Sequence, residues 1–247
     1  YAFNIARIIV PLEIISFLSF PVTSLLSACL GYSGLWKLYL MFSEMYPSAQ
    51  QRFAIAVLFV PSVVFWGSGI LKDTFTLSAA CWFCYSFYRL YVQPKNILFH
   101  IVTLLLSVID MISSKPYVFV ALLPGTLTWI TWERLNKIQS LFLKVLIGPV
   151  IIFFSFGIGF GIWSSVSGML GAYSSVDSMI EKAYISQQDL KADYYKGNSF
   201  DIGDYEPTLT GSLKKFPEAT VTGLFRPFVW EAKNVFMLVS GLENLIF

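Results

Sequence analysis

Between Pro61 and Asp73 the chain reads Pro-Ser-Val-Val-Phe-Trp-Gly-Ser-Gly-Ile-Leu-Lys-Asp. An apolar run ends there in an aromatic, two glycines and a Lys-Asp pair, and a second apolar run begins at once. A water-soluble core rarely needs such a junction. Two helices that cross a bilayer and reverse do need one, because only the turn can reach the polar interface. Apolar runs of near-spanning length recur along the chain. They predict an all-α fold: a polytopic transmembrane helix bundle of seven to eight spans with one sizeable extracytoplasmic loop. Helix is preferred over strand because lipid offers no water to satisfy backbone groups, and the runs do not alternate as barrel strands would.

Composition agrees. Hydrophobic residues make up 56% of the 247 residues and charged ones 13%, against about 25% charge in a typical soluble domain. The mean hydropathy is +0.66. The net charge of +2 is too small for nucleic-acid binding, and no RNP-like, helix-turn-helix or zinc-finger pattern occurs, so no nucleic-acid partner is expected. The chain begins at Tyr1 rather than methionine and ends at Phe247 within an apolar run, as expected of a segment of a longer protein. Arg7 and Glu13 beside the first run do not suit a cleavable signal peptide.

The expected spans are 5–30, 35–46, 53–70, 74–92, 97–112, 117–132, 141–163 and 234–247. Pro11 and Pro21 interrupt the first, and Lys37 and Glu44 shorten the second. A turn is expected at Gly31-Tyr-Ser-Gly34 between them. Arg89 and Lys95 flank one short connection, and Arg134, Lys137 and Lys144 flank another two spans later. The positive-inside rule makes both cytoplasmic and, with them, the N-terminus. The Gly67–Asp73 junction, the Ser113–Pro116 turn and the segment from Ser164 then fall on the outer side. From Ser164 to Glu218 that segment carries eight acids against five lysines, which fits a translocated loop. Three parts result: 1–163 as the bundle, 164–218 as the extracytoplasmic loop, and 219–247 as an interfacial segment and the start of a final span. Helical spacing of Val176, Met179, Ile180, Ala183, Gln187 and Leu190 predicts an amphipathic helix over about 176–195, with Ser178-Met-Ile-Glu181 read as a capping box. The stretch 221–233, interrupted at Arg226-Pro227, is expected to be helical along the interface. Gly157 and Gly161 have the small-xxx-small spacing that lets helices approach.

No cofactor or metal is expected. Cys81 and Cys84 are an i,i+3 pair in an apolar helix, and with His100 the sole histidine they read as buried thiols rather than a redox or metal site. Asp201, Asp204 and Glu206 are spaced to share a cation but lack the calcium-loop pattern.

Under this topology Lys72, Asp73, Lys115, Arg226, Glu231 and Lys233 meet at the outer rim. Lys72, Lys115 and Arg226 are the candidate phosphate ligands, since ammonium and guanidinium groups match phosphate oxygens. Asp73 and Glu231 are the candidate catalytic acids or bases. Each has a plainer alternative. The cations also suit interfacial anchors that snorkel from helix ends, Asp73 also suits a helix N-terminus, and Glu231 also suits a pair with Arg226 or Lys233.

The junction at 61–73, Lys115-Pro-Tyr with Leu122-Leu-Pro124, and Phe225-Arg-Pro-Phe-Val-Trp-Glu together resemble a family of bacterial polytopic envelope membrane proteins. These look like distant relatives of the GT-C glycosyltransferases, multi-span enzymes that use polyprenyl-phosphate sugars at the outer face. The resemblance implies a membrane lipid partner, a polyprenyl-phosphate-linked glycan, and glycosyl transfer. It also implies catalytic acids in the first outer loop, whereas Gly31–Gly34 contains none. Either that loop precedes Tyr1 or the chain is not a transferase. The rival reading is a non-enzymatic membrane subunit or scaffold of an envelope secretion or assembly complex, with protein partners docking on 164–218. A transporter ranks third, because 74–163 offers almost no ionisable group within its spans beyond Asp110.

Overall fold

The computed structural model describes residues 2–136, 140–169, 171–192 and 201–246. Among these every regular element is a helix. The chain divides into two compact units, Tyr1–Ser165 and Val166–Phe247.

The first unit opens with α1 (Ala2–Ile15) and α2 (Phe20–Met45). Between them Phe17 and Leu18 take positive φ of 53° and 61°, and the Leu18 amide donates to the Glu13 carbonyl at 2.8 Å. Two successive left-handed residues cannot continue a right-handed helix. Ser19 then starts α2 in an extended conformation with Pro21 in its first turn, where the missing N–H costs nothing. The long first run is thus split at residues 16–19. The turn expected at Gly31–Gly34 does not form, because these residues lie inside α2.

Their glycines serve close packing instead. A Cβ on Gly31 would meet the Thr74 side chain at 2.6 Å, and one on Gly34 would meet the Ser78 carbonyl oxygen at 2.5 Å. Both contacts are with α5 (Lys72–Tyr91), which runs parallel to α2. Successive contacts climb together along the two helices: Ser78 to Leu30, Trp82 to Ser33, Arg89 to Glu44.

Between α2 and α5 lie α3 (Gln50–Leu58) and α4 (Pro61–Gly67), bent by 52° at their junction. Pro61 supplies no N–H and holds Val60 extended, so the continuous run expected over 53–70 breaks here. The helix α6 (Ile97–Ser114) returns antiparallel to α5, and α7 (Pro116–Asn136) and α8 (Leu141–Val166) follow. The ends of α5 to α8 lie within a few residues of those the sequence predicts.

Small polar side chains share the interior with apolar core clusters, and large apolar side chains cover much of the outside. On α6 the buried residues are His100, Ser107, Met111 and Ser114, while Leu98 and Ile109 are 77% and 60% exposed. On α5 the buried set includes Thr74, Thr76, Ser78 and Ser86. On α8 Phe153, Phe154 and Phe160 all point outward. Polar groups inside and large apolar groups outside are what hydrocarbon solvent selects. Among the described residues three helices, Phe20–Met45, Ile97–Ser114 and Ile147–Ser165, are long and apolar enough to cross a membrane, and the bent α3–α4 pair passes as a fourth if it counts as one span. Gly157 and Gly161 face open space, while Gly159 lies against Pro124 of α7.

The second unit contains α9 (Val176–Leu190), α10 (Leu209–Phe225) and α11 (Val235–Ile246). The α9 start agrees with the expected surface helix. Its cap is Ser175, whose Oγ accepts from the Ser178 amide, rather than Ser178 itself. The helix ends at Leu190, and the 193–195 part of the expected extension lies outside the described residues. Helix α10 begins well before 221, capped by Thr208, and stops at Arg226-Pro227 as expected.

The glycine contacts make a prediction. Gly34→Val forces Cβ and its methyls into α5 backbone, an overpacking that costs on the order of 1–3 kcal/mol or more. Gly157→Ala meets nothing within 4 Å and leaves stability unchanged. Thermal unfolding of the two variants in maltoside micelles checks this, and equal melting temperatures would contradict the packing.

Candidate functional site

The first turn of α5 is fixed by Thr74, whose buried hydroxyl donates toward the Trp66 and Gly69 carbonyls at 3.0 and 2.8 Å. This ties the α4–α5 connection down and sets the direction of the two residues before it. Asp73 forms an ion pair with Lys115, which sits between α6 and α7. Lys72, its neighbour, is exposed. The sequence-predicted trio therefore converges within the first unit, with a formal charge of +1 from two ammoniums and one carboxylate.

The pair forms the polar edge of a cavity of about 480 Å³. Its walls are Trp66, Leu77, Ala80 and Val118, with the Thr76 hydroxyl also facing in. The Thr76 hydrogen is committed to the Lys72 carbonyl at 2.8 Å, so its oxygen has only lone pairs to offer. Burial pulls the Lys115 ammonium down, but hydrogen bonds from it to Asp73 and Tyr117 outweigh burial and hold it above the ordinary lysine value of 10.5. An apolar pocket with charge at one edge suits an amphiphile better than a fully polar solute.

Arg226 and Glu231 lie in the second unit and pair with each other at 3.4 Å. Glu231 also accepts from the Phe228 amide at 3.3 Å, so it closes the short turn that follows α10. That is the plainer of the two roles expected for it. Asp201 and Asp204 both face the Lys191 ammonium, at 3.2 and 2.5 Å. Hydrogen bonding to Lys191 lowers Asp204, and the Gly203 amide followed by Lys191 lowers Asp201, below the ordinary carboxylate value. A lysine thus occupies the place where a shared cation was considered, and among the described residues no cluster of three metal-ligating side chains occurs.

A second ionic centre went unread in the sequence. Glu44 of α2 and Arg89 of α5 pair at 2.5 Å, and Arg89 also donates to the Tyr85 hydroxyl and the Gln93 side chain. Lys37 lies 5.3 Å from the centres of both the Trp82 and Tyr85 rings. The signal was available: these charges sit on apolar helices, where an ion is costly unless paired. The α5 segment between Asp73 and Arg89 rises about 24 Å at 1.5 Å per residue. The two ion pairs therefore lie at opposite ends of α5.

Comparison of the chain with family models, with curated proteins and with solved structures yielded no match.

Because the Lys115 value is raised in the folded protein, its pairing contributes fully below pH ~10.5 and is lost as pH climbs through the higher folded value. Stability near neutral pH should be insensitive to this group, with a decline only on the alkaline side that Lys115→Met flattens. A double-mutant cycle of Lys115→Met with Asp73→Asn should give a coupling of about 0.2–1 kcal/mol for a partly exposed pair. Zero coupling together with an unaltered alkaline profile would show that the two charges ignore each other.

Proposed function

We propose that this chain is a multi-pass bacterial inner-membrane protein that holds the phosphate of a lipid-linked glycan at the Lys72–Asp73–Lys115 edge, as a GT-C-like glycosyltransferase does at its outer face. The observation that carries the reading is the 480 Å³ cavity with apolar walls and the Asp73–Lys115 ion pair at its polar edge, beside the exposed Lys72. A polyprenyl phosphate has the same division, an apolar chain and an anionic head.

In this reading α5 crosses the bilayer as well, giving seven to eight spans. Its modest hydropathy follows from its place between α2 and α6, where it meets protein rather than lipid. The N-terminus is cytoplasmic and 164–218 is extracytoplasmic, as the basic connections require. Within the second unit, Arg226 is proposed separately as a phosphate ligand and Glu231 as a base, each released from the other.

The Asp73–Lys115 pair supplies a trigger. The singly charged phosphodiester of the lipid-linked sugar competes for the Lys115 ammonium, and Lys72 adds a second donor that also meets the second negative charge formed on the departing phosphate. Asp73, no longer neutralised, can accept the proton of an acceptor hydroxyl as that oxygen bonds to the anomeric carbon. The carbon–oxygen bond to phosphate breaks, and the leaving electron pair stays on phosphate, stabilised by the two lysines.

A second reading rests on α10. Leu209, Leu213, Phe216 and Leu224 are each more than half exposed and recur at helical spacing, which suits a docking face of a membrane scaffold or subunit in an envelope assembly.

Purification in mild detergent followed by mass spectrometry of bound lipid separates the two. Wild-type protein should carry a polyprenyl phosphate species, and Lys72→Ala should carry at least about fivefold less at unchanged membrane abundance. Asp73→Asn should keep the lipid but lose glycan product. Full lipid retention and product formation in both variants would overturn the transferase reading. A lipid-free protein with stoichiometric protein partners would favour the scaffold.

A further inference from the structure

Another face of α5 opens on a different, open-sided cavity of about 400 Å³, lined also by residues of α2, α6 and Ile8 of α1. One carboxylate lines it, that of Asp110. Among the described residues no lysine or arginine forms an ion pair with Asp110, and its recorded side-chain partner is the Ser114 hydroxyl at 3.5 Å. An ionisable group within an apolar helix is expensive and needs a counter-charge.

The surrounding hydroxyls are set to accept. Ser33 and Ser78 both donate to the Leu30 carbonyl, at 2.7 and 2.8 Å, and Ser107 donates to the Thr103 carbonyl at 2.8 Å. With each hydrogen committed to a helix carbonyl, the oxygens have only lone pairs to offer. Ser33 spends one of these on the Trp82 indole N–H at 3.1 Å. Phe75 and Trp82 contribute aromatic surface. One negative charge, hydroxyl lone pairs and ring faces all favour a positive ligand.

Size decides which kind. A single water or a dehydrated metal ion needs only about 10–15 Å³ of such space, whereas organic ligands occupy cavities of roughly 300–1,000 Å³. From these observations we infer a binding site for an organic ammonium, an apolar body bearing one positive charge, with Asp110 as its counter-ion. The site goes beyond the phosphate-binding reading and uses none of its residues, so either can fail alone.

The test titrates purified protein in maltoside micelles with phenethylammonium chloride, and with 2-phenylethanol as the neutral match, at constant ionic strength. Saturable thermal stabilisation by the ammonium is expected, with the alcohol at least about tenfold weaker. Asp110→Asn should bring the ammonium down to the level of the alcohol, and Ile8→Trp, which fills the cavity without touching the charge, should abolish both. Equal binding of ammonium and alcohol by the wild type, no saturable binding at all, or wild-type affinity in Asp110→Asn overturns the proposal. The wild-type comparison holds even if neither variant folds.

Discussion

The close approach of α5 to α2 is the constraint on which the first unit depends. Gly31 and Gly34 remove the side chains that would keep the two helices apart, and Thr74 and Ser78 fill the space gained. In lipid there is little hydrophobic gain from burying one apolar helix against another, so association relies on packing and on small polar contacts between backbones. The Leu30 carbonyl accepting from Ser78, and Ser33 accepting from Trp82, are contacts of this kind. Once α5 is seated, its two ends are placed. Asp73 meets Lys115 at one, Arg89 meets Glu44 at the other, and the cavities on two of its faces acquire their walls.

This placement also explains why the most buried helix is not the most apolar. Helix α5 carries threonine, serine, cysteine and tyrosine along nearly its whole length, yet it sits between α2 and α6, whose outer faces are lined with leucine, isoleucine and phenylalanine. Residues that meet protein can be polar if their hydrogen bonds are met within the helix, as Thr76 and Ser107 do with carbonyls one turn earlier. Residues that meet lipid cannot.

Much of this was legible in the chain. Helices α5 to α8 were marked by long, mostly uncharged runs between charged connections, and the start of α9 by its apolar spacing. The convergence of Lys72, Asp73 and Lys115 followed from hairpin parity, because two turns separated by a pair of antiparallel helices lie at the same end. What the sequence hid was the meaning of its glycines. Gly31 and Gly34 carry the same local signature whether they make a turn or a helix contact, and only the Thr74 and Ser78 backbone opposite them decides. The break at Phe17 and Leu18 has no glycine at all, so it left no turn signal. The Glu44–Arg89 pair was missed for a different reason: its members are 45 residues apart, and their pairing depends on α2 and α5 being parallel neighbours.

The account stands most directly on α5 crossing a bilayer, with Lys72 and the α5–α6 connection on opposite sides. With Cys29, Cys81 and Cys84 replaced by serine, single cysteines at positions 72 and 95 can be exposed to a membrane-impermeant maleimide in intact spheroplasts and again after permeabilisation. The expected result is labelling at 72 without permeabilisation and at 95 only after it. Labelling of both positions from the same side would remove the span, and with it the charged layers and the amphiphile site between them.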